Sequence, residues 1–145
     1  MSGLAADKFF FDALGASADI NGRVEGRIFN PARATIDEEE DRIPYIIITL
    51  DSVTNDGQTK DSDVEGDEDV ATVSVLCVDT DRDRLASLTQ AVRNQCRAYL
   101  AATPEADRYI YEWQFTANEV GYDPMKPCCY QTLRYQCDVI NEYNG

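Results

Sequence analysis

Histidine is absent from this 145-residue chain. Its absence removes the commonest general base, the usual activator of a serine or cysteine nucleophile and the commonest zinc ligand. Histidine-dependent triads are therefore excluded. Basic residues are also scarce, with 13 Lys and Arg against 27 Asp and Glu, for a formal net charge of -14. Such a chain repels phosphate, and its basic residues form no dense cluster, so nucleic-acid binding through counterion release is not expected. No apolar stretch reaches the ~20 residues that a membrane-crossing helix needs. The segment Met1 to Lys8 has no basic region leading into an apolar run, so export and membrane insertion are not expected. Glycine-rich phosphate loops of the Walker or dinucleotide type are missing as well.

The acidic charge is concentrated in two places. Residues 37–41 contribute -5, and residues 51–69 hold eight acids against one Lys. The five cysteines (Cys77, Cys96, Cys128, Cys129 and Cys137) are an odd number without an export signal, which argues for reduced thiols in a cytosolic setting. Cys128 and Cys129 are adjacent, and no C-x-x-C spacing occurs, so structural zinc is not expected. Cys77, Cys96 and Cys137 fall on apolar faces and read as small core residues.

The length suits one domain spanning residues 1–145, with roughly two thirds of the unfolded surface removed from water. Leu4, Phe11 and Leu14 stand at helical spacing, widened by Phe9 and Phe10, and predict a helix from Ser2 to Gly15. Residues 16–26 read as a connection to a short strand at Arg27 to Phe29, ended by Pro31. Tyr45 to Leu50 predict a strand apolar on both faces, hence central, with Pro44 at its start. Val70 to Val78 alternate and should pair with it as a long hairpin, leaving an acidic loop at about 52–69. Thr80 and Asp83 approximate a capping box ahead of Leu85, Leu88, Val92, Cys96 and Tyr99, and Pro104 stops this second helix. Tyr109, Tyr111, Trp113, Phe115 and Ala117 then fall on one strand face, and Leu133, Tyr135, Cys137 and Val139 on one face of the last strand. Gly121 and Pro124 mark the turn between them. The expected fold is α+β, with two helices packed on a largely antiparallel sheet of about four to five strands in the order α-β-β-β-α-β-β.

Candidate sites are few. Asp61, Asp63, Glu65 and Gly66 match the first half of a calcium-binding EF-hand loop, but Thr72 stands where the bidentate Glu belongs and strands flank the loop. A solvated acidic hairpin tip is the plainer reading. The acids at 37–41 share one solvated environment and cannot divide into general acid and general base. The aromatic stripe at 109–115 has only Arg108 beside it, which favours sheet core or a subunit interface over base stacking. No catalytic, cofactor-binding or metal-ligating residues are expected.

From Ile43 to Leu50, then Ala71 to Val78 and the helix from Asp81 to Leu100, the chain resembles phage tail terminator and tail-completion proteins. The element order agrees over nearly the whole chain. The resemblance implies a virion tail protein assembled in the host cytoplasm. Such a protein forms a ring, often of six copies, that caps the tail tube, stops its polymerisation and offers a docking surface to neck or connector proteins. The implied partners are the chain itself, the tail tube protein and a neck or connector protein. No sequence-specific nucleic-acid contact, membrane or cofactor is implied. The long acidic loop has no counterpart in that pattern. Two alternatives stay open: a cytosolic binding module whose acidic loop takes calcium or a basic protein partner, and an enzyme using Asp, Glu, Tyr or Cys without histidine.

Overall fold

The computed structural model describes residues 3–30, 43–56, 68–104, 110–124 and 127–140. A single 3-10 turn at Gly3–Ala5 leads into α1 (Ala6–Gly15), followed by α2 (Ala18–Val24), β1 (Ile28–Phe29), β2 (Tyr45–Asp56), β3 (Glu68–Asp79), α3 (Arg82–Ala102), β4 (Ile110–Asp123) and β5 (Cys128–Ile140). The five strands form one sheet in the order β1-β2-β3-β5-β4. β1 runs parallel to β2, and every other pairing is antiparallel. The expected α+β class and strand number hold, with one helix more than the sequence suggested.

That extra helix is α2, in the stretch read as a connection. Its start is fixed by Ser17, whose hydroxyl accepts from the Ile20 N–H at 3.2 Å. Ile20 and Val24, four residues apart, turn one face into the core. Glu25 and Gly26 then take left-handed backbone at φ 52 and 75, which ends the helix. In α1 the buried stripe is Ala6, Phe9, Phe10, Ala13 and Leu14, at the i, i+3, i+4, i+7, i+8 positions of a helix face. Leu4, expected on that stripe, sits on the 3-10 turn and is 68% exposed, and Phe11 lies at the margin.

The hairpin β2–β3 forms as expected, but its strands run on, to Asp56 and from Glu68, so only 57–67 of the predicted loop lies outside the described residues. β2 lies inside the sheet between β1 and β3, as expected, but β1 covers only Ile46 and Ile47 of it, and the middle strand of the five is β3. A bulge at Asp51 keeps both halves of β2 in phase. Leu50 pairs with Val73 and Val53 with Ala71, which holds both side chains toward the helices.

The helix-facing core contains Ile46, Ile48, Ala71, Val73, Val75, Cys77, Leu133, Cys137 and Val139 from the sheet, against Leu85, Leu88, Val92 and Cys96 of α3. An aromatic cluster joins the layers: the Phe10 ring lies 5.0 Å from Tyr135 and 5.6 Å from Trp113, and Phe9 lies 5.4 Å from Tyr99. Offset and edge contacts of this kind add to the burial of large apolar area. Trp113 thus packs, half-buried, against the core, but the expected stripe is broken. Register shifts between Ile110 and Glu112 and between Phe115 and Ala117 place Trp113 opposite Cys137, Phe115 opposite Tyr135, and Ala117 opposite Arg134. Tyr109 lies outside the described residues.

The cap of the last helix and the role of one glycine differ from expectation. The cap of α3 is Asp81, whose Oδ1 accepts from the N–H groups of Asp83 and Arg84 at 2.8 and 3.1 Å, while Thr80 instead accepts from the Arg84 guanidinium at 2.9 Å. These two N–H donors hold the Asp81 carboxyl below its ordinary value. Its stabilising share is therefore present above the unfolded carboxyl's range and is lost as pH falls through the lowered folded value. An Asp81→Ala chain should show a flatter acid limb than the native chain in a pH series of thermal melts. Gly121 is not a turn residue either. It sits in β4 opposite Tyr130, and a Cβ there would lie 2.2 Å from the Tyr130 ring, so the missing side chain lets that ring fold over the strand. Pro124 does lie at the turn.

Candidate assembly surfaces

The side chains of β2, β3 and β5 that point away from the helices form a mixed face. At one end half-buried Tyr45, Ile47, Leu76 and Tyr130 make it apolar, beside the buried Val78 and the buried Phe29 of β1, whose ring lies 6.4 Å from that of Tyr45. At the centre stands a polar group. The bulge turns Asp51 toward Ser74, whose hydroxyl donates to the Asp51 carboxylate, and Arg134 Nε donates to Ser74 Oγ at 3.3 Å and stands 3.7 Å from that carboxylate. Arg134 and Asp51 are about one third exposed, so this pairing contributes little to stability and mainly fixes side-chain direction.

Strand edges form a second surface. Among the described residues β4 has no strand neighbour on its outer side, and β2 has none beyond Ile47. Unpaired strand backbone is a template for pairing with another chain. At the turn end of β4, Val120 and Tyr122 are 55% and 60% exposed and, with Arg82, Gly121 and Cys129, line a hollow of about 440 Å³.

The helix layer offers a third surface. α3 carries four arginines against one aspartate and is the one described element with a net positive charge. After Asp83 it holds no acid through Ala102. Between α3 and α2 runs an open groove of about 580 Å³, lined by Gln90, Asn94 and Ala98 on one side and Asp19 and Arg23 on the other. Asp19 and Arg23 are already paired at 3.1 Å, and Arg23 also donates to Ser87 at 2.9 Å. The absence of a run such as Lys-Lys-Arg hides this basic helix from a reading of linear clusters. Net charge taken element by element reveals it.

The buried polar groups belong to the fold. Asp7, in the first turn of α1, accepts from the Asn30 amide at 3.0 Å, and both are nearly inaccessible. Arg27 donates to the Pro44 carbonyl at 3.0 Å and pairs with Glu25 at 2.8 Å, which ties the β1 region to the start of β2.

All five cysteines are free thiols. Burial pushes Cys77 and Cys137 up to about 12 and raises Cys96 further, so none of the three is a thiolate near neutrality. Unfolded thiols ionise near 9.0, so between 9.0 and about 12 the folded chain holds more protons than the unfolded one, and stability falls as pH rises through that window. Denaturant midpoints measured across that range should decline, less so in a Cys77→Val/Cys137→Val chain. In native protein at neutral pH, Cys129, half-buried at the start of β5, should react first with a thiol reagent. Cys77, Cys96 and Cys137 should wait for unfolding.

The acidic run at 37–41 and the EF-hand-like residues 61–67 lie outside the described residues. Asp69, the last acid of that stretch, is buried in β3 opposite Val139. Among the described residues no group of three or more potential metal ligands comes together, and no helix is long and apolar enough to cross a membrane.

No protein-family model matches the chain, and no curated protein matches it significantly. Among solved structures, a chain from the virion of a native gene transfer agent (GTA) particle matches with a TM-score of 0.59 at 13% identity, covering 90% of this chain and 91% of that one. At that identity the likeness is one of fold, and it extends over nearly the full length of both chains. The α+β fold of this chain is therefore one that also occurs in a virion particle.

Proposed function

We propose that this chain is a structural virion protein of the tail terminator or tail-completion kind. In this reading it forms a ring of copies that caps the tail tube, ends tail polymerisation and presents the surface to which a neck or connector protein joins. It works in the virion tail after assembly in the host cytoplasm, and its role is one of surfaces, without catalysis. The observation that carries the reading is the end-to-end likeness of fold to a chain from a virion particle. The sequence resemblance in element order supports it independently.

The surfaces suit that role. A long outer strand and an exposed Val120 and Tyr122 are features that a chain buries against copies or partners, and half-buried Tyr45, Ile47, Leu76 and Tyr130 add apolar area on the sheet face. The acidic residues 51–69 fit a place beside passing DNA, where negative charge prevents sticking, or a projection toward a partner. Electron microscopy of the purified chain mixed with tail tubes tests the proposal. Rings alone, and rings at one end of each tube, are expected. Bare tube ends together with a dispersed monomer would refute it.

A further inference from the structure

We propose that the sheet face left uncovered by the helices packs against the same face of a second copy of this chain, about a twofold axis that runs along β3. The contact goes beyond the tail reading above: it pairs two copies, or two rings, whatever the assembly caps.

Charge points to this face. A chain of net charge -14 repels its own copies, and the repulsion is least where charge is sparse. All three helices pack on the other side of the sheet. Over residues 45–54, 70–78 and 130–138, the positions that point away from the helices carry only the charges of Asp51, Arg134 and Asp138. The others are hydroxyl, amide and apolar side chains, with Tyr45 and Tyr130 among them. Depletion of charge together with tyrosine is the composition of an interface core.

The face also complements itself. Strand pairing sets Tyr45, Val78 and Tyr130 in one row across the sheet and Thr54, Val70 and Asp138 in another. Midway between these rows, on the middle strand, stands Ser74, with Asp51 of β2 on one side and Arg134 of β5 on the other. A half-turn about an axis along β3 lays β2 of one copy over β5 of the other. Each Asp51 then meets Arg134 of the other copy, Tyr45 meets Tyr130, Thr54 meets Asp138, and the two apolar ends coincide. Such an isologous contact requires a self-complementary patch. Three strands of about 12 residues give a footprint of about 570 Å² per copy, or about 1,150 Å² in all, just above the lower limit for a specific contact, so the dimer is reversible. Within one chain the 3.7 Å pair of Asp51 and Arg134 is partly solvated and weak, whereas in the closed face each carboxylate gains a second guanidinium and fixes the alignment.

The experiment is sedimentation velocity on the full chain over a range of concentration. Native protein should show a reversible equilibrium whose smallest assembled species is a dimer. In a dimer Arg134→Asp gathers four carboxylates at the centre of the face and Asp51→Arg gathers four guanidinium groups, so each variant alone should self-associate roughly tenfold or more weakly. Mixed one to one, the two variants should associate with each other, and Asp51→Arg/Arg134→Asp in one chain should self-associate again. Ser52→Lys/Gln136→Lys, at two exposed positions that face each other across the axis, should weaken the dimer with circular dichroism and melting point near native. A native chain that stays monomeric up to about millimolar concentration overturns the contact. So does assembly that these variants leave unchanged, or a mixture of folded single variants that fails to associate. Tube-end imaging judges the terminator reading separately, so either reading can fail alone.

Discussion

Replacing Phe10 by Ala should destabilise the chain by about 3 to 5 kcal/mol, the largest loss expected from any single apolar truncation here. Phe10 is fully buried, and its ring touches Phe9, Trp113 and Tyr135, so it bridges α1, β4 and β5 at one point. Removing it opens a cavity that neither the sheet nor α1 can close without losing other contacts. For a domain of this size that is a large share of total stability. Denaturant titration would show a much lower midpoint with the same slope. Phe11, the neighbour at the margin of the helix, should cost far less when truncated, and the contrast between the two tests which face of α1 is inward.

The second large effect is expected at Asp7. This carboxylate is buried in the first turn of α1 and accepts from the Asn30 amide at 3.0 Å. Replacing Asp7 by Ala leaves a buried amide donor without that acceptor, at a cost of about 2 to 3 kcal/mol for a hydrogen bond to a charged group. Asn30→Ala should cost a similar amount, and the double variant less than the sum of the two, because both changes remove the same hydrogen bond. Additive losses would show that the pair is not coupled. The pair fastens the start of the first helix to the end of β1, so its loss should also loosen the strand edge beside Ile46 and Ile47.

Much of the scaffold was legible in residue order. The alternation from Val70 to Val78, the spacing of Leu85, Leu88, Val92 and Cys96, and the last strand from Leu133 to Val139 each repeat one period over enough residues to identify the element. The misses have physical causes. α2 is seven residues long and contains Asn21 and Gly22, so its helical signal was a single cap at Ser17 and a pair of apolar residues one turn apart. In β4 the two register shifts break the strict alternation on which the aromatic stripe depended. Gly121 read as a turn because a glycine's reason for being in a strand, here the ring of Tyr130 folded over it, lies on another strand.

The surfaces were less legible than the core. Asp51 gives no local sign that it belongs to a bulge and meets Ser74 and Arg134, residues 23 and 83 positions later. The basic character of α3 was diluted because its arginines are spaced by up to nine residues along the chain, whereas one helix gathers them into one element. The acidic stretch was plain from composition alone.

Under the proposed function, this chain completes a tail and joins it to a head. Electron microscopy of particles made by a producer whose copy of this gene is disrupted tests it most directly. Tails of uncontrolled length, lacking joined heads and restored by the intact gene, are the predicted result. Particles of normal tail length with heads attached would contradict it.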